Sequence, residues 1–372
     1  MRVLYLSKAL VVAEYRTKLA ALARGAEVVA VVPERWGARP AEAADATGGT
    51  VEFRRSLLHG HNHFHLYPGL AEVLDRVRPD LVHIDEEPYS AVTLQASRLC
   101  RRRGIPSLFF AWQNLHKRLP PPFGTLRRSV FGSVAGGIAG TPAAARVVQD
   151  GGFRGPLAVV PQFGVDAERF RPEPEARRHG RERLGVADDE ILVGFGGRLV
   201  PEKGVRLLVR AVAATPGVRL VVAGDGPERE WLALLARELG VEERVRFQGQ
   251  VPSTAMPSWL AALDLLALPS LTRKNWAEQF GRILVEAMAC GVPVVASRSG
   301  EIPHVVCDAG VLLPEGDVHA LRSALERLSR DADLRRRLAC AGRARVAERF
   351  TQERIAADTL DFYGEILAGR AS

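Results

Sequence analysis

A short glycine-rich segment holds the first residues whose types and spacing could do chemistry. A strand-like run at 191–195 leads into residues 196–204, which read GGRLVPEKG, and a helix is predicted from about residue 205. Paired glycines let the backbone approach a ligand closely, and a helix start offers free N–H groups to an anion. Arg198 and Lys203 add two cations, so the segment predicts a site for a diphosphate leaving group. A strand–helix turn with surface charges is the alternative that the segment alone leaves open.

Two other phosphate-binding patterns do not fit the chain. The dinucleotide fingerprint GxGxxG would need glycine at position 199, where Leu199 stands. The triphosphatase loop, GxxxxGKS or GxxxxGKT, does not occur in the sequence. The sequence therefore supports neither a nicotinamide-dependent enzyme nor a P-loop enzyme.

A second segment places two carboxylates around a predicted helix start. Glu278 precedes residues 279–281, where the helix is predicted to begin, and Glu286 lies further along it. Eight residues at helical rise span about 12 Å, comparable to the separation of a sugar ring from a ribose across a diphosphate. One carboxylate could then face a hexose and the other a ribose, with the helix start facing the phosphate. A helix-terminal charge at Glu278 and a solvated Glu286 are the alternatives, although Glu286 lies in an almost wholly apolar run.

Alternating strands and helices must position these segments. Short β-branched runs separated by helix-length segments predict parallel sheets covered on both faces. The predicted strands are 2–6, 27–32, 80–84, 107–111, 134–139, 157–161, 191–197, 218–224, 244–249, 263–270 and 292–297. Residues 11–24 and the stretch from about 318 onward are predicted to be helical. The Pro- and charge-rich passage 161–190 reads as an interdomain linker.

This pattern predicts two α/β domains, with ligands bound between the carboxyl ends of their strands. We expect an N-terminal Rossmann-like domain of residues 1–165 that binds the acceptor. A C-terminal helix at about 352–372 is expected to pack back on it. Residues 166–351 are expected to form a second Rossmann-like domain that binds the donor.

Composition bounds the class of protein. The chain has 372 residues, 47% of them hydrophobic and 25% charged, as in ordinary globular proteins of two domains. Its four cysteines form no CxxC pair, which argues against a zinc or disulfide framework and favours a reducing compartment. The first residues are interrupted by Lys8 and Glu14, which does not suit a signal peptide, and no run is long and apolar enough for a membrane span. We expect a cytoplasmic protein.

The formal net charge of +8 lies in the first 165 residues, in clusters such as 101–103 and 127–128. Such a bias favours an anionic partner: a phosphorylated acceptor or a membrane surface rich in acidic lipid, which would place the protein at the inner face of the membrane. Nucleic acid is not expected, because no basic motif interleaved with aromatics occurs. Solvated helix faces are the alternative.

Taken together, the motifs of the second half resemble glycosyltransferase family 4. The most specific match is Glu278-x7-Glu286, with Phe280-Gly281 inside it and EAMACGVPVVA following. The supporting matches, in the family's order, are GVD at 164–166, GR and EKG within 197–204, GDGP at 224–227, FxGxV at 247–251 and LPS at 268–270.

The resemblance implies the GT-B fold, in which two Rossmann-like domains face a central cleft. It also implies a retaining transfer of a hexosyl unit from a UDP- or GDP-linked sugar to an acceptor hydroxyl, in glycan, glycolipid or metabolite biosynthesis. No metal or other cofactor would be required. Arg198 and Lys203 would stabilise the departing diphosphate, and Glu278 would orient the hexose.

The same resemblance assigns the rest of the donor site. Glu286 would hold the ribose, Gly249 and Val251 would contact the base through the backbone, and Gly281 would leave room for phosphate. The further donor-site residues that it implies are Gly197, Glu202, Gly224, Gln279, Phe280 and Ile283.

The first half departs from the family pattern. Members usually carry a glycine pair after the first strand, where this chain reads SKAL at 7–10, and Lys8 is the candidate replacement. The usual histidine position after strand 107–111 is filled by Trp112 or Gln113. Three acids, Asp85, Glu86 and Glu87, follow strand 80–84, where they could bind acceptor hydroxyls or cap the next helix. The acceptor-side candidates are therefore Lys8, Glu86, Glu87, Gln113, Asn114 and His116.

Alternating histidines at 59–65, in the run HGHNHFH, could be zinc ligands on a strand face. The glycine and asparagine between them favour a loop that touches the acceptor instead. Two other functions stay open: a sugar-nucleotide-binding protein with a degenerate catalytic half, and another GT-B chemistry such as sugar-nucleotide epimerisation.

Overall fold

A computed structural model of the chain describes residues 1–42, 48–162, 164–187 and 189–369. The chain forms two compact units. The first, the N domain, is Met1–Gly164 with Gln352–Ser372, and the second, the C domain, is Val165–Thr351. No helix within the described residues combines the length and the apolar character that crossing a bilayer requires.

The N domain is built on a parallel sheet with the strand order β5-β2-β1-β6-β7-β8-β9. Its central strands are buried on both faces, which explains their continuous apolar runs. Val3 of the first strand, for example, is paired with Val28 on one side and Leu81 on the other. The strands are β1 Arg2–Leu6, β2 Glu27–Pro33, β5 Thr50–Arg54, β6 Leu81–Ile84, β7 Ser107–Ala111, β8 Gly136–Ala139 and β9 Leu157–Val159, with a small antiparallel hairpin of β3 Arg35–Trp36 and β4 Arg39–Pro40.

Helices cover both faces of this sheet. They are α1 Thr17–Leu22, α2 Leu70–Val77, α3 Ala91–Arg102, α4 Phe123–Phe131, α5 Pro142–Asp150 and α14 Gln352–Ala368. As predicted, the C-terminal helix packs back on the first domain. Phe362, Tyr363 and Ile366 of α14 join a core cluster with Leu108 and Ile138. The Tyr363 hydroxyl is also 2.5 Å from Nδ1 of buried His83.

The C domain repeats the plan with the strand order β12-β11-β10-β13-β14-β15. Its strands are β10 Ile191–Gly196, β11 Val218–Ala223, β12 Val245–Gly249, β13 Leu265–Leu268, β14 Val294–Ser297 and β15 Val311–Leu313. Its helices are α6 Pro174–Leu184, α7 Val205–Ala213, α8 Arg229–Glu238, α9 Met256–Ala261, α10 Arg282–Ala289, α11 Ile302–Val306, α12 Val318–Arg330 and α13 Ala332–Arg349. The prediction of α/β domains with parallel sheets is confirmed.

Two local predictions are wrong. The passage 161–190 is not simply a linker, because α6 lies within it and packs in the C domain. Arg181 of that helix donates to Asp264 at 2.8 Å and to the Glu190 carbonyl at 2.8 Å, so its charge is buried rather than solvated. The expected continuous helix at 11–24 is broken, because Ala13–Arg16 forms a 3-10 turn and only Thr17–Leu22 is α-helical.

Candidate active site

The C domain places the two predicted segments where the strand order reverses. The chain continues from β10 to β11 on one side of the sheet and later returns to β13 on the other side. Loops at such a switch point diverge and leave room for a ligand at the carboxyl ends of the strands. Residues 197–204 follow β10, and residues 269–281 follow β13. The two predicted segments therefore lie on adjacent strand ends.

Glycines bring the backbones of three neighbouring strand ends close together. The Gly224 N–H donates to the Gly249 carbonyl at 2.7 Å, and the Gly197 N–H donates to the Ala223 carbonyl at 2.9 Å. A Cβ at Gly224 would lie 1.8 Å from the Gly197 carbonyl oxygen, and φ there is +141°. Only glycine fits this position. The predicted residues Gly197, Gly224 and Gly249 thus form one backbone edge without side chains.

The loop after β10 carries an exposed cation. Leu199 fastens this loop to the β11 loop, because its N–H donates to the Asp225 carbonyl at 3.0 Å and its carbonyl accepts from the Glu228 N–H at 3.1 Å. The neighbouring Arg198 is exposed. It has no ion-pair partner in the described part of the chain. The guanidinium is therefore available to an anion.

Lys203 and Glu278 form an ion pair across the two loops. Lys203 Nζ is 2.6 Å from Glu278 Oε2, with side-chain exposures of 15% and 9%. The Ser270 hydroxyl donates to the same carboxylate oxygen at 2.9 Å. Gly204 directly follows Lys203 and caps α7 without a side-chain hydrogen bond, so the first N–H groups of that helix are not covered by its cap. One carboxylate, one ammonium and a helix start are thus brought together.

Glu286 is buried and paired within its own helix. It lies in α10, which begins at Arg282 after Gly281 in the left-handed region at φ +76°. Arg282 Nε donates to Glu286 Oε1 at 2.7 Å. The alternative of a solvated Glu286 is therefore wrong. The expected helical spacing from Glu278 to Glu286 is also wrong in its first half, because residues before Arg282 are not helical.

The remaining donor-side predictions fall into different surroundings. The Glu202 carbonyl accepts from the Leu271 N–H at 2.7 Å and joins the two loops. Ile283 contacts the end of β10, since a Cβ at Gly196 would lie 3.0 Å from its Cδ1. Phe280 is buried, with its ring centroid 5.6 Å from that of Phe350, so it packs in the core. Gln279 is exposed and Val251 is half-buried.

In the N domain, Lys8 is paired with Glu86. Its ammonium forms an ion pair with Glu86 Oε2, and its backbone N–H donates to Oε1 at 3.1 Å. Burial raises the pKa of Glu86 to about 7, although the positive charge of Lys8 acts in the opposite direction. The predicted replacement for the glycine pair is therefore tied to another acceptor-side candidate.

Glu87 occupies the position where the chain turns after β6. Its Oε1 accepts from the backbone N–H of Trp112 at 2.8 Å and of Gln113 at 2.9 Å. Burial raises the pKa of Glu87 to about 7, against the lowering effect of these two N–H groups. Oε2 is buried and has no hydrogen-bond partner among the described residues. The Trp112 indole points elsewhere and donates to Gln162 Oε1 at 2.6 Å.

The other acceptor-side candidates do not all lie beside Glu87. The Gln113 amide donates to the Leu115 carbonyl at 2.7 Å and stays beside Glu87. Asn114 is half-buried in the same loop. His116 is instead 3.4 Å from Asp150, and both side chains are mostly exposed.

The alternating histidines lie in a loop and face different surroundings. His65 is fully buried, 3.7 Å from Glu86, and burial lowers its pKa to about 3. Nδ1 of His63 is 3.3 Å from the Ser90 hydroxyl, and its ring contacts Tyr89. Within the described ranges, no group of three or more His, Cys, Asp or Glu side chains is placed to hold a metal ion.

Comparison with protein families decides the assignment. The chain matches the family described as "Glycosyltransferase Family 4" over residues 10–169 and the one described as "Glycosyl transferases group 1" over residues 177–345. The chain belongs to the family 4 glycosyltransferases. The resemblance predicted from the motifs is therefore confirmed.

This family 4 chain has relatives among curated proteins that are named as glycosyltransferases. A GDP-mannose-dependent alpha-(1-6)-phosphatidylinositol monomannoside mannosyltransferase of Mycolicibacterium smegmatis is 39% identical over 199 residues, which are 51% of this chain and 52% of the relative. A D-inositol 3-phosphate glycosyltransferase of Streptomyces bingchenggensis is 36% identical over 228 residues, which are 57% of this chain and 49% of the relative. The chain spans about half the length of the curated relatives it matches.

Solved structures establish the fold of this family 4 chain. Sucrose-phosphate synthase from Thermosynechococcus elongatus superposes with a TM-score of 0.77 and 20% identity, over 99% of this chain and 100% of that one. HepE of Anabaena, solved in complex with UDP, superposes with a TM-score of 0.78 and 22% identity, over 98% of this chain and 100% of that one. The fold is GT-B, with two Rossmann-like domains.

Sequence reasoning missed two residues of the C-domain site. Ser270 donates to Glu278 and Trp276 lies against Lys203. Ser270 could have been found, because it ends the predicted strand 263–270 and the LPS motif at 268–270. Trp276 gave no comparable signal, since its loop has no periodic pattern.

Proposed function

We propose that this family 4 chain is a retaining glycosyltransferase whose C domain binds a nucleotide-diphosphate sugar. The observation that supports this best is the Lys203–Glu278 ion pair at the switch point of the sheet. An exposed Arg198 and the uncapped start of α7 lie on the same loop. Two cations and free backbone N–H groups suit a diphosphate, and a carboxylate beside them suits a sugar hydroxyl.

In the proposed reaction the bond between the sugar carbon and the diphosphate oxygen breaks. A bond from the acceptor oxygen forms on the same face, and the acceptor proton passes to the departing diphosphate. Negative charge develops on that diphosphate in the transition state, where Arg198 and Lys203 stabilise it. Glu278, anchored by Ser270, accepts a hydrogen bond from the hexose, and Glu286 accepts from the ribose.

We assign the acceptor to the N domain. A pocket there is lined by Glu87, Tyr89, Gln113, Lys117 and Arg127. The buried Oε2 of Glu87 and the buried Nε of Arg127 have no hydrogen-bond partners within the described residues. A carboxylate suits a hydroxyl and two cations suit a phosphate, so we propose a polyhydroxylated acceptor that carries a phosphate. The relatives named for phosphatidylinositol mannoside and inositol 3-phosphate support this class.

We also propose that the N domain contacts an anionic membrane surface. Leu58 and Phe64 are exposed by 58% and 41%, and the Phe64 ring centroid is 5.3 Å from that of Phe123 at the start of α4. Arg118 and Arg128, five residues before and five after Phe123 in the chain, are exposed as well. Apolar side chains next to cations suit the interface of an acidic bilayer. Sedimentation with vesicles that contain or lack phosphatidylglycerol tests this, and equal binding to both would contradict it.

The transfer itself is tested with UDP- and GDP-linked hexoses and D-inositol 3-phosphate as the probe acceptor. We expect an α-linked product from an α-linked donor by NMR, and saturable nucleotide binding by calorimetry. Lys203→Ala should abolish transfer and weaken nucleotide binding, whereas Arg237→Ala, which removes an exposed cation on α8, should change neither. Nucleotide binding without transfer to any sugar phosphate would favour the binding-protein alternative. An altered hexose without transfer would favour epimerisation.

A further inference from the structure

Trp276 lies against the cation of the proposed donor site. Lys203 Nζ is 5.3 Å from the centroid of the Trp276 ring and 2.6 Å from Glu278. A cation within about 6 Å of an indole face is attracted by the ring, and more strongly where water is excluded. Since the Lys203 side chain is only 15% exposed, the contact lies in such a setting. The ammonium thus has an anionic partner and an aromatic one.

Backbone hydrogen bonds hold the segment that carries the Trp276 indole. The Arg273 N–H donates to the Trp276 carbonyl at 2.7 Å, and the Trp276 N–H donates to the Arg273 carbonyl at 3.1 Å. These two bonds close a tight turn. Ala277, the next residue, is 3% exposed and anchors the end of the turn in the core. The turn therefore fixes the backbone position from which the Trp276 ring reaches Lys203.

Side chains from two neighbouring strand ends hold the beginning of the same turn. The Thr272 hydroxyl is 2.9 Å from the Ser299 hydroxyl, which follows β14. The Thr272 hydroxyl also donates to the carboxylate of Glu315, a residue that follows β15, at 2.6 Å. Hydrogen bonds of this kind hold a loop in one conformation even where it buries little apolar surface. Such ordering suits a loop that positions another residue.

We propose that Trp276 is a positioning residue for Lys203, an inference that rests on the proposed donor site. An ammonium attracted only by Glu278 would settle into that ion pair and be less available to a diphosphate. The indole face offers a second attraction, and the three N–H donors of the ammonium leave at least one for the ligand. Lys203 can then turn its protons toward the ligand while Glu278 keeps its bond from Ser270. Trp276 therefore strengthens diphosphate binding through Lys203 and not by touching the ligand.

The test measures the Kd of GDP and of UDP by calorimetry for the wild type, Trp276→Leu and Trp276→Phe. Leucine keeps apolar bulk but has no aromatic face, whereas phenylalanine keeps the face. We expect Trp276→Leu to weaken binding of the better nucleotide about 2- to 30-fold and Trp276→Phe to recover most of this. In the Lys203→Ala background, Trp276→Leu should have no further effect.

Trp231 supplies the matched control. Its ring lies 4.1 Å from the Arg206 guanidinium, and Trp231→Leu should leave both Kd values unchanged. Equal weakening by Trp276→Leu with and without Lys203 would overturn the inference, and so would an unchanged Kd or no recovery with phenylalanine. If the wild type binds neither nucleotide, the donor site itself fails. If Lys203→Ala weakens binding but Trp276→Leu does not, only the inference fails.

Discussion

Replacing Lys203 by methionine removes the ammonium but keeps the length of the side chain. Glu278 is then left 9% exposed, with the Ser270 hydroxyl as a remaining neutral donor. Breaking a buried ion pair by removing one partner costs about 3–5 kcal/mol, because the other charge stays buried. The residual exposure of both side chains places the expected cost near the lower end, at about 3 kcal/mol. For a domain of this size that corresponds to a fall in Tm of about 6–12 °C.

Differential scanning calorimetry measures this change without any acceptor. The transition of the C domain is identified in the wild type as the one that shifts when GDP or UDP is added. The double variant Lys203→Met/Glu278→Gln should recover most of the lost stability, because no unpaired charge remains, yet it should not recover nucleotide binding. A double variant no more stable than Lys203→Met, or a single variant within 1 °C of the wild type, would refute the view of Glu278 as a charge that depends on Lys203.

Three further outcomes are expected. Gly224→Ala would place a methyl group 1.8 Å from the Gly197 carbonyl oxygen. Urea unfolding should therefore show that the free energy of unfolding falls by at least about 2 kcal/mol. Near-wild-type stability would contradict the close approach of the two backbones. The pKa of Glu87 is raised to about 7, so between about pH 4.5 and 7 the folded chain keeps a proton that the unfolded chain releases, and the N domain loses on the order of 3 kcal/mol of stability as pH rises through this range. Glu87→Gln should remove this loss. Identical pH profiles of the two proteins in chemical denaturation would contradict the expectation. Arg198→Ala should leave Tm unchanged but weaken nucleotide binding about tenfold with a smaller salt dependence, and a lower Tm would show a structural role instead.

Much of the fold follows from short apolar runs, because strands buried on both faces leave a strong pattern. The run at 107–111 became a strand with the predicted bounds. The pattern fails where burial is partial. The edge strands Thr50–Arg54 and Val311–Leu313 carry few fully buried residues and were not predicted. It fails again at α6, where Arg177 and Arg181 pair with Asp264, since a partner so far along the chain leaves no local signal.

In the candidate site, too, some features were predicted from the sequence and others were not. Glu278 and Lys203 were predicted from motifs that a sheet edge must bring near each other, although their direct ion pair was not. Glu286 was expected to be available to a ribose, but its bond from Arg282 depends on where α10 begins. In the N domain, the pairing of Lys8 with Glu86 joins residues from two loops that follow adjacent strands. Such pairings depend on side-chain directions that composition and spacing do not encode.

The docking of α14 on the first sheet has a consequence for synthesis on the ribosome. The chain from 165 to 351 must emerge before this helix does, which takes on the order of 10–40 s at typical elongation rates. During that interval Leu108 and Ile138 lack their core partners Phe362, Tyr363 and Ile366, which have not yet been synthesised. Burial of each of these three side chains contributes about 1.5–3 kcal/mol to the stability of the domain. The domain translated first is therefore completed last, and a recombinant fragment that stops at 164 needs residues 352–368 joined to it.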